Sequence, residues 1–127
     1  MKEFMLLIHN EAGGKAALSA EKQQQFLNDC KVYIQSLIKD GKLKGAQPLV
    51  REGKMISGRP GAFKDGPYNE SKEIIVGYYH IVAKDINEAI AIAQGNPEFA
   101  YVPGAKIEVR PIKMMEETTS FVYPNGE

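Results

Sequence analysis

The tightest constraint on this chain is an apolar stripe recurring at three- and four-residue steps: Phe26, Cys30, Tyr33 and Leu37, flanked by Leu27, Ile34 and Ile38. That spacing predicts a wide-faced amphipathic helix of about twenty residues. Ser19 can cap it, Glu21 suits the positive end of its dipole, and Gly41 stops it. Such a face must rest on something, and the neighbouring segments read as a sheet.

Phe4, Met5, Leu6, Leu7 and Ile8 form a buried strand too short for a membrane span or a signal core, ended by the polar His9, Asn10 and Glu11. Residues 43–59 read as two short antiparallel strands turning at Glu52 and Gly53, with Pro48 holding the first at an edge or beside a bulge. A loop marked by Pro60, Gly61, Asp65, Gly66 and Pro67 follows over residues 59–70. Residues 74–83, rich in Ile, Val and Tyr, make the strongest strand. Asp85 and Glu88 form a capping box for a second helix whose inner face is Ile86, Ala89, Ile90 and Ala93, and Gly95, Asn96 and Pro97 end it. Residues 106–112 alternate apolar and charged, a half-buried last strand. The order β, α, β-hairpin, β, α, β predicts an α+β fold, a ferredoxin-like antiparallel sheet with two helices on one face. The domain spans residues 1–113. Residues 114–127 are a tail, or an added edge strand formed by Ser120, Phe121, Val122 and Tyr123.

Composition narrows the function classes. Sixteen Lys and Arg balance sixteen Asp and Glu, so no basic excess is available for nucleic acid or an anionic membrane. Zero net charge leaves association with a second copy unopposed. One cysteine excludes an internal disulfide and a Cys-rich zinc site, and with no targeting segment in view it points to the cytoplasm. Two helices cover only one face of the sheet. A homodimer burying the open faces would create a cleft lined by both copies, where small molecules commonly bind.

Lys64, Asp65, Gly66, Pro67, Tyr68, Asn69, Glu70, Ser71, Lys72 and Glu73 resemble the signature of the DGPF branch of the YCII-related family. Gly77, Tyr78, Tyr79, His80 and Ile81 follow at the family's spacing, then Asn87, Glu88 and Ala89, Pro97, and the run from Ile107 through Ile112. The opening residues 1–8 look like the family's start, and Tyr68 stands where Phe is usual. The resemblance implies a ferredoxin-like fold that dimerises into an α+β barrel. It assigns no reaction to most members, although one relative in the wider group is a dehydrochlorinase. Some DGPF proteins are encoded near extracytoplasmic-function sigma factors, which hints at regulation. The wider group's proposed acid–base pair, a helical His with an Asp beyond it, is incomplete here. Asp65 is present, but no His lies between Ala20 and Asp40, and Asn28, Asp29 and Cys30 occupy that stretch.

His80, Asp65 and His9 are the catalytic candidates. The two imidazoles fall on adjacent strands and could share the open face as acid and base, or be a surface His and a half-buried His bonded to a neighbour. Asp65 is either a base held on a rigid turn or a carboxylate that bonds its own loop. Glu108 and Arg110 face away from the helices, as a cleft wall that binds a carboxylate or as an interface ion pair. Tyr78, Arg59 and Tyr68 complete the ligand-binding candidates. No metal is expected, since the two His residues have only Glu108 or Asp65 as a third ligand and no spacing demands it. No cofactor is expected either, because Gly13, Gly14 and Lys15 lack the rest of a phosphate loop. The preferred expectation is a dimer binding a small polar or aromatic metabolite. The alternatives are a lyase- or isomerase-like enzyme using a His–Asp pair and a regulatory interaction module.

Overall fold

The structure, a computed structural model, describes residues 1–11, 17–67 and 73–124. Its elements are β1 (Lys2–Glu11), α1 (Ala20–Lys39), β2 (Leu43–Pro48), β3 (Met55–Arg59), β4 (Ala62–Gly66), β5 (Glu73–Ala83), α2 (Ile86–Gln94), α3 (Glu98–Tyr101) and β6 (Lys106–Pro111). Four strands form one antiparallel sheet in the order β2, β5, β1, β6, and β3 pairs with β4 in a separate two-stranded sheet. The four-stranded order is that of a ferredoxin-like α+β fold.

Alternation decides the two faces. Phe4, Leu6, Ile8 and Asn10 of β1 are buried, as are Tyr79, Ile81 and Ala83 of β5. They meet Leu37, Tyr33 and Ile34 of α1 and Ala89, Ala93 and Ile92 of α2, so both helices lie on one face. Register shifts where Ile8 faces Gly77 but His9 faces Ile75, leaving Val76 as an extra residue on β5. This bulge re-phases β5, so that Ile74 and Gly77 are both buried. A Cβ at Gly77 would come within 3.1 Å of the Gln47 carbonyl oxygen, so any side chain here would press β2 away from β5.

The capping expectations hold. The Ser19 hydroxyl accepts from the Lys22 N–H at 3.1 Å, and Gly41 takes a left-handed φ of 69° just beyond α1. At α2 the Asp85 carboxylate accepts from the Glu88 N–H at 2.9 Å. The Glu88 carboxylate reaches back to the Lys84 N–H rather than to Asp85 itself.

Several expectations are corrected. β1 does not stop at Ile8; it runs through His9 and Asn10 to Glu11. Glu52 and Gly53 do not turn a hairpin, because β2 pairs with β5, and β3 turns back at Pro60 and Gly61 onto β4. Gly58 and Gly61 supply positive φ values at that turn, and β4 forms within the stretch expected to be loop. The α1 stripe is narrower than its spacing implied: Phe26 and Leu37 are buried while Leu27 and Ile38 are exposed. In α2 the inner face is Ala89, Ile92 and Ala93, and Ile86 and Ile90 turn outward, since small alanines let the helix approach the sheet closely. The short helix α3 had no signal beyond Pro97. In the last segment Val122 bridges Met115 and the Tyr123 N–H donates to the Met114 carbonyl, so these residues fold on themselves and not onto a sheet edge. Among the described residues no helix is long and apolar enough to cross a membrane.

Leu6 is fully buried, whereas Val32 on α1 is 66% exposed. Leu6→Ala is expected to cost about 2–5 kcal/mol in urea unfolding. Val32→Ala should stay within about 0.5 kcal/mol of the parent. A comparable loss at Val32 would contradict its placement on the exposed side of α1.

Candidate functional site

The face of the sheet opposite the helices has an apolar centre and charged flanks. Met5 and Leu7 of β1 face His80 and Tyr78 of β5 across the central pairing. Leu7 faces Glu108 and Met5 faces Arg110 on the other side. All but Arg110 are half-buried, and the described helices pack on the other face. Strand alternation alone puts these residues on one face, since Phe4, Leu6, Tyr79 and Ile81 take the other.

Each imidazole is held by carboxylates. His80 Nε2 lies 2.6 Å from Glu3 Oε1, and the Glu3 Oε2 lies 3.3 Å from Lys44 Nζ. His9 Nε2 lies 2.9 Å from Glu108 Oε1, and its Nδ1 is 3.4 Å from Glu73 Oε1. Arg110 Nη1 donates to Glu108 and Lys106 Nζ to Glu73, each at 2.9 Å. A neutral His9 ring can donate to only one of its two glutamates; a doubly protonated ring donates to both. Because Glu73 and Glu108 approach opposite nitrogens, they do not converge on one metal position with the ring. No group of three metal-ligating side chains suited to an ion occurs among the described residues.

These contacts shift the carboxylates. Burial pushes the Glu3 carboxyl up, but its bonds to His80 and Lys44 outweigh this and hold it below the ordinary glutamate value. Arg110 first, then His9, lowers Glu108, and Lys106 lowers Glu73. These three carboxylates therefore stay ionised into the acid range.

The structure brings His9, His80, Tyr78, Glu108 and Arg110 onto this one face. His80 faces Met5, four residues along β1 from His9, so the two residues are offset by about 13 Å along the strands and act as two centres. Asp65 and Arg59 lie instead on the exposed β3–β4 hairpin. The Asp65 carboxylate stands 3.7 Å from Lys54, while the imidazoles take Glu3, Glu73 and Glu108 as partners. Lys54 lines an open cleft of about 550 Å³ with His9, Glu73, Leu49 and Met55, and Asp65 does not line it. Tyr68 lies outside the described residues. Sequence reasoning missed Glu3, Glu73 and Lys44 as members of the site. Glu3 alternates with Phe4 and so was assignable to the open face, but its meeting with His80 depends on the β1–β5 register.

A family model described as the YCII-related domain matches residues 3–116. An uncharacterized protein of Rhizobium meliloti (strain 1021) is 26% identical over 115 residues, covering 87% of this chain and 92% of the relative.

The Glu3 contacts have a pH signature. With the folded carboxyl held below its unfolded value of about 4.3, the unfolded chain binds the extra proton on acidification. Its contribution is complete above that value and is lost as pH falls through the lowered one. Urea unfolding of the parent between pH 7 and pH 3 should therefore lose stability more steeply below about pH 4.3 than Glu3→Gln does. Equal slopes would mean that Glu3 does not hold its bonds to His80 and Lys44 in solution.

Proposed function

The chain belongs to the YCII-related domain family, and from that premise we propose that it is a homodimer of the DGPF branch that binds a small polar or aromatic molecule between its subunits. One observation carries this reading: a sheet face turned away from the described helices whose apolar centre, Met5, Leu7 and Tyr78, is flanked by pairs of imidazole with carboxylate. A face left to water has no need of Leu7 and Tyr78 at its middle. A second copy laid across it would close an α+β barrel around them. The β3–β4 hairpin adds exposed Met55, Ile56 and Phe63, apolar surface of the kind a partner covers. Within the closed cleft, Tyr78 supplies a wall for a ring, Arg110 a fork for an anionic group, and His80 and His9 donors or acceptors.

The 2.6 Å contact of Glu3 with His80 favours a second reading, proton transfer in a lyase- or isomerase-like reaction. Glu3, in place of Asp65 as the carboxylate partner of the imidazole, would orient the ring, and His80 would take a proton from a carbon acid. The readout is solvent deuterium incorporated at an acidic C–H of a bound keto acid and lost in His80→Gln. Binding without exchange in the parent would leave the binding reading alone.

Sedimentation should find twice the 14.1 kDa chain mass for the parent. Leu7→Lys, which puts a charge at the middle of the face, should return the monomer with the helix content kept. A monomeric parent at micromolar concentration removes the cleft and this reading with it.

A further inference from the structure

The β3–β4 hairpin pairs with no strand of the four-stranded sheet, and every residue from Met55 to Asp65 is exposed. A two-stranded hairpin left to itself is at best marginally stable in water. This one also carries apolar bulk outward. Ile56 is paired with Asp65 and Gly58 with Phe63, so alternation sets Ile56 and Phe63 diagonally on one face of the hairpin. Ser57, Arg59 and Lys64 take the other. The two apolar side chains are 70% and 66% exposed.

The hairpin starts beside the open face of the sheet. Lys54 and Met55 at its base line the cleft that also takes His9, Glu73 and Ile75. Strands of five residues carry the turn at Pro60 and Gly61 about 17 Å from that base. Two stacked sheets lie only about 10 Å apart, so the hairpin is long enough to reach a copy laid over the face. Charge agrees with this direction. Residues 51–65 hold four Lys and Arg against two Asp and Glu, so the remainder of this neutral chain is anionic. Arg59 and Lys64 make no ion pair among the described residues. On the open face Glu3, Glu11, Glu73 and Glu108 outnumber Lys44, Lys106 and Arg110. Glu11 also stands directly opposite Glu73, a like-charge pair that positive potential from outside would relieve.

Resting on the dimer reading above, we propose that the hairpin is an arm that each copy lays on the open-face side of the other, with Ile56 and Phe63 packed against the second chain. The two-fold axis exchanges the arms, and each cleft then takes a wall from the chain to which it does not belong. The apolar face of the arm supplies the contact, and its positive charge draws it to the carboxylate-rich surface.

The test uses the full chain. A nitroxide on Ser57→Cys, in a Cys30→Ala background, sits on the face of the arm away from Ile56 and Phe63. Mixed with an equal amount of methyl-labelled chain that carries no nitroxide, it broadens only methyls of the other copy. Broadening should be strongest at Met5 and Leu7 of the open face and weaker at Leu27 on the outer side of α1. Ile56→Lys combined with Phe63→Lys should weaken dimerisation at least tenfold, with helix content kept. The arm is overturned if a dimer shows no broadening, if Leu27 broadens as much as Met5 and Leu7, or if the double variant dimerises as the parent does. In each of these cases the dimer reading stands without its arm. A monomeric mixture overturns both. Should the double variant lose its helix content, the broadening decides alone.

Discussion

The pairing of β1 with β5 is the constraint on which the rest of the molecule depends. Two long central strands in one register set Phe4, Leu6 and Ile8 beside Tyr79 and Ile81 on one face, and Met5 and Leu7 beside His80 and Tyr78 on the other. A slip of one residue would exchange the faces, sending the imidazoles into the core and the leucine and isoleucine outward. Burial of the helix-side residues holds that register. The arrangement of charges on the far face follows from a hydrophobic requirement on the near one.

The bulge at Val76 is the second consequence of that pairing. An extra residue on β5 lets the strand keep Ile74 and Gly77 on the buried side while His9 stays on the open side opposite Ile75. At the same level Gly77 brings β2 close to β5. A chamber under α1 opens beside this irregularity, and its lining takes Ala46, Val76 and Gly77 from the two strands. One local departure from a regular ladder thus contributes to both faces.

The open face and the chamber use polar groups differently. On the open face the charges are balanced in contact: Glu3 with Lys44, Glu108 with Arg110, and Glu73 with Lys106. These are solvent-reached interactions of modest strength, and their value is in fixing the rings of His9 and His80. The chamber's polar end is buried, where an unsatisfied group is expensive, and Asn10, Asn96 and Glu98 are tied to one another by direct bonds. Tyr33, which donates to the Ile92 carbonyl at 2.6 Å and stacks edge-on against Tyr79, holds α1 and α2 in place above the same sheet.

Local patterns were legible from the residues alone because they obey local physics. The caps at Ser19 and Asp85, the left-handed stop at Gly41, the run of β5 and the alternation that sends Glu108 and Arg110 away from the helices all depend on neighbours within a few positions. Those patterns were enough to dictate the α+β class and the helix-bearing face, and they allowed His9 and His80 to share the open face without deciding it. Strand partnership was not legible, since Glu52 with Gly53 and Pro60 with Gly61 are equally good turns, and only competition for β5 decides between them. Nor were the partners of the imidazoles, because Glu3, Glu73 and Glu108 reach them across strand pairs whose register is set by the whole core. The union of Asn10 with Glu98, 88 positions apart, lies furthest from view. Composition can supply an asparagine and a glutamate, but only closure of the helices over the sheet takes the water from both and makes them each other's partner.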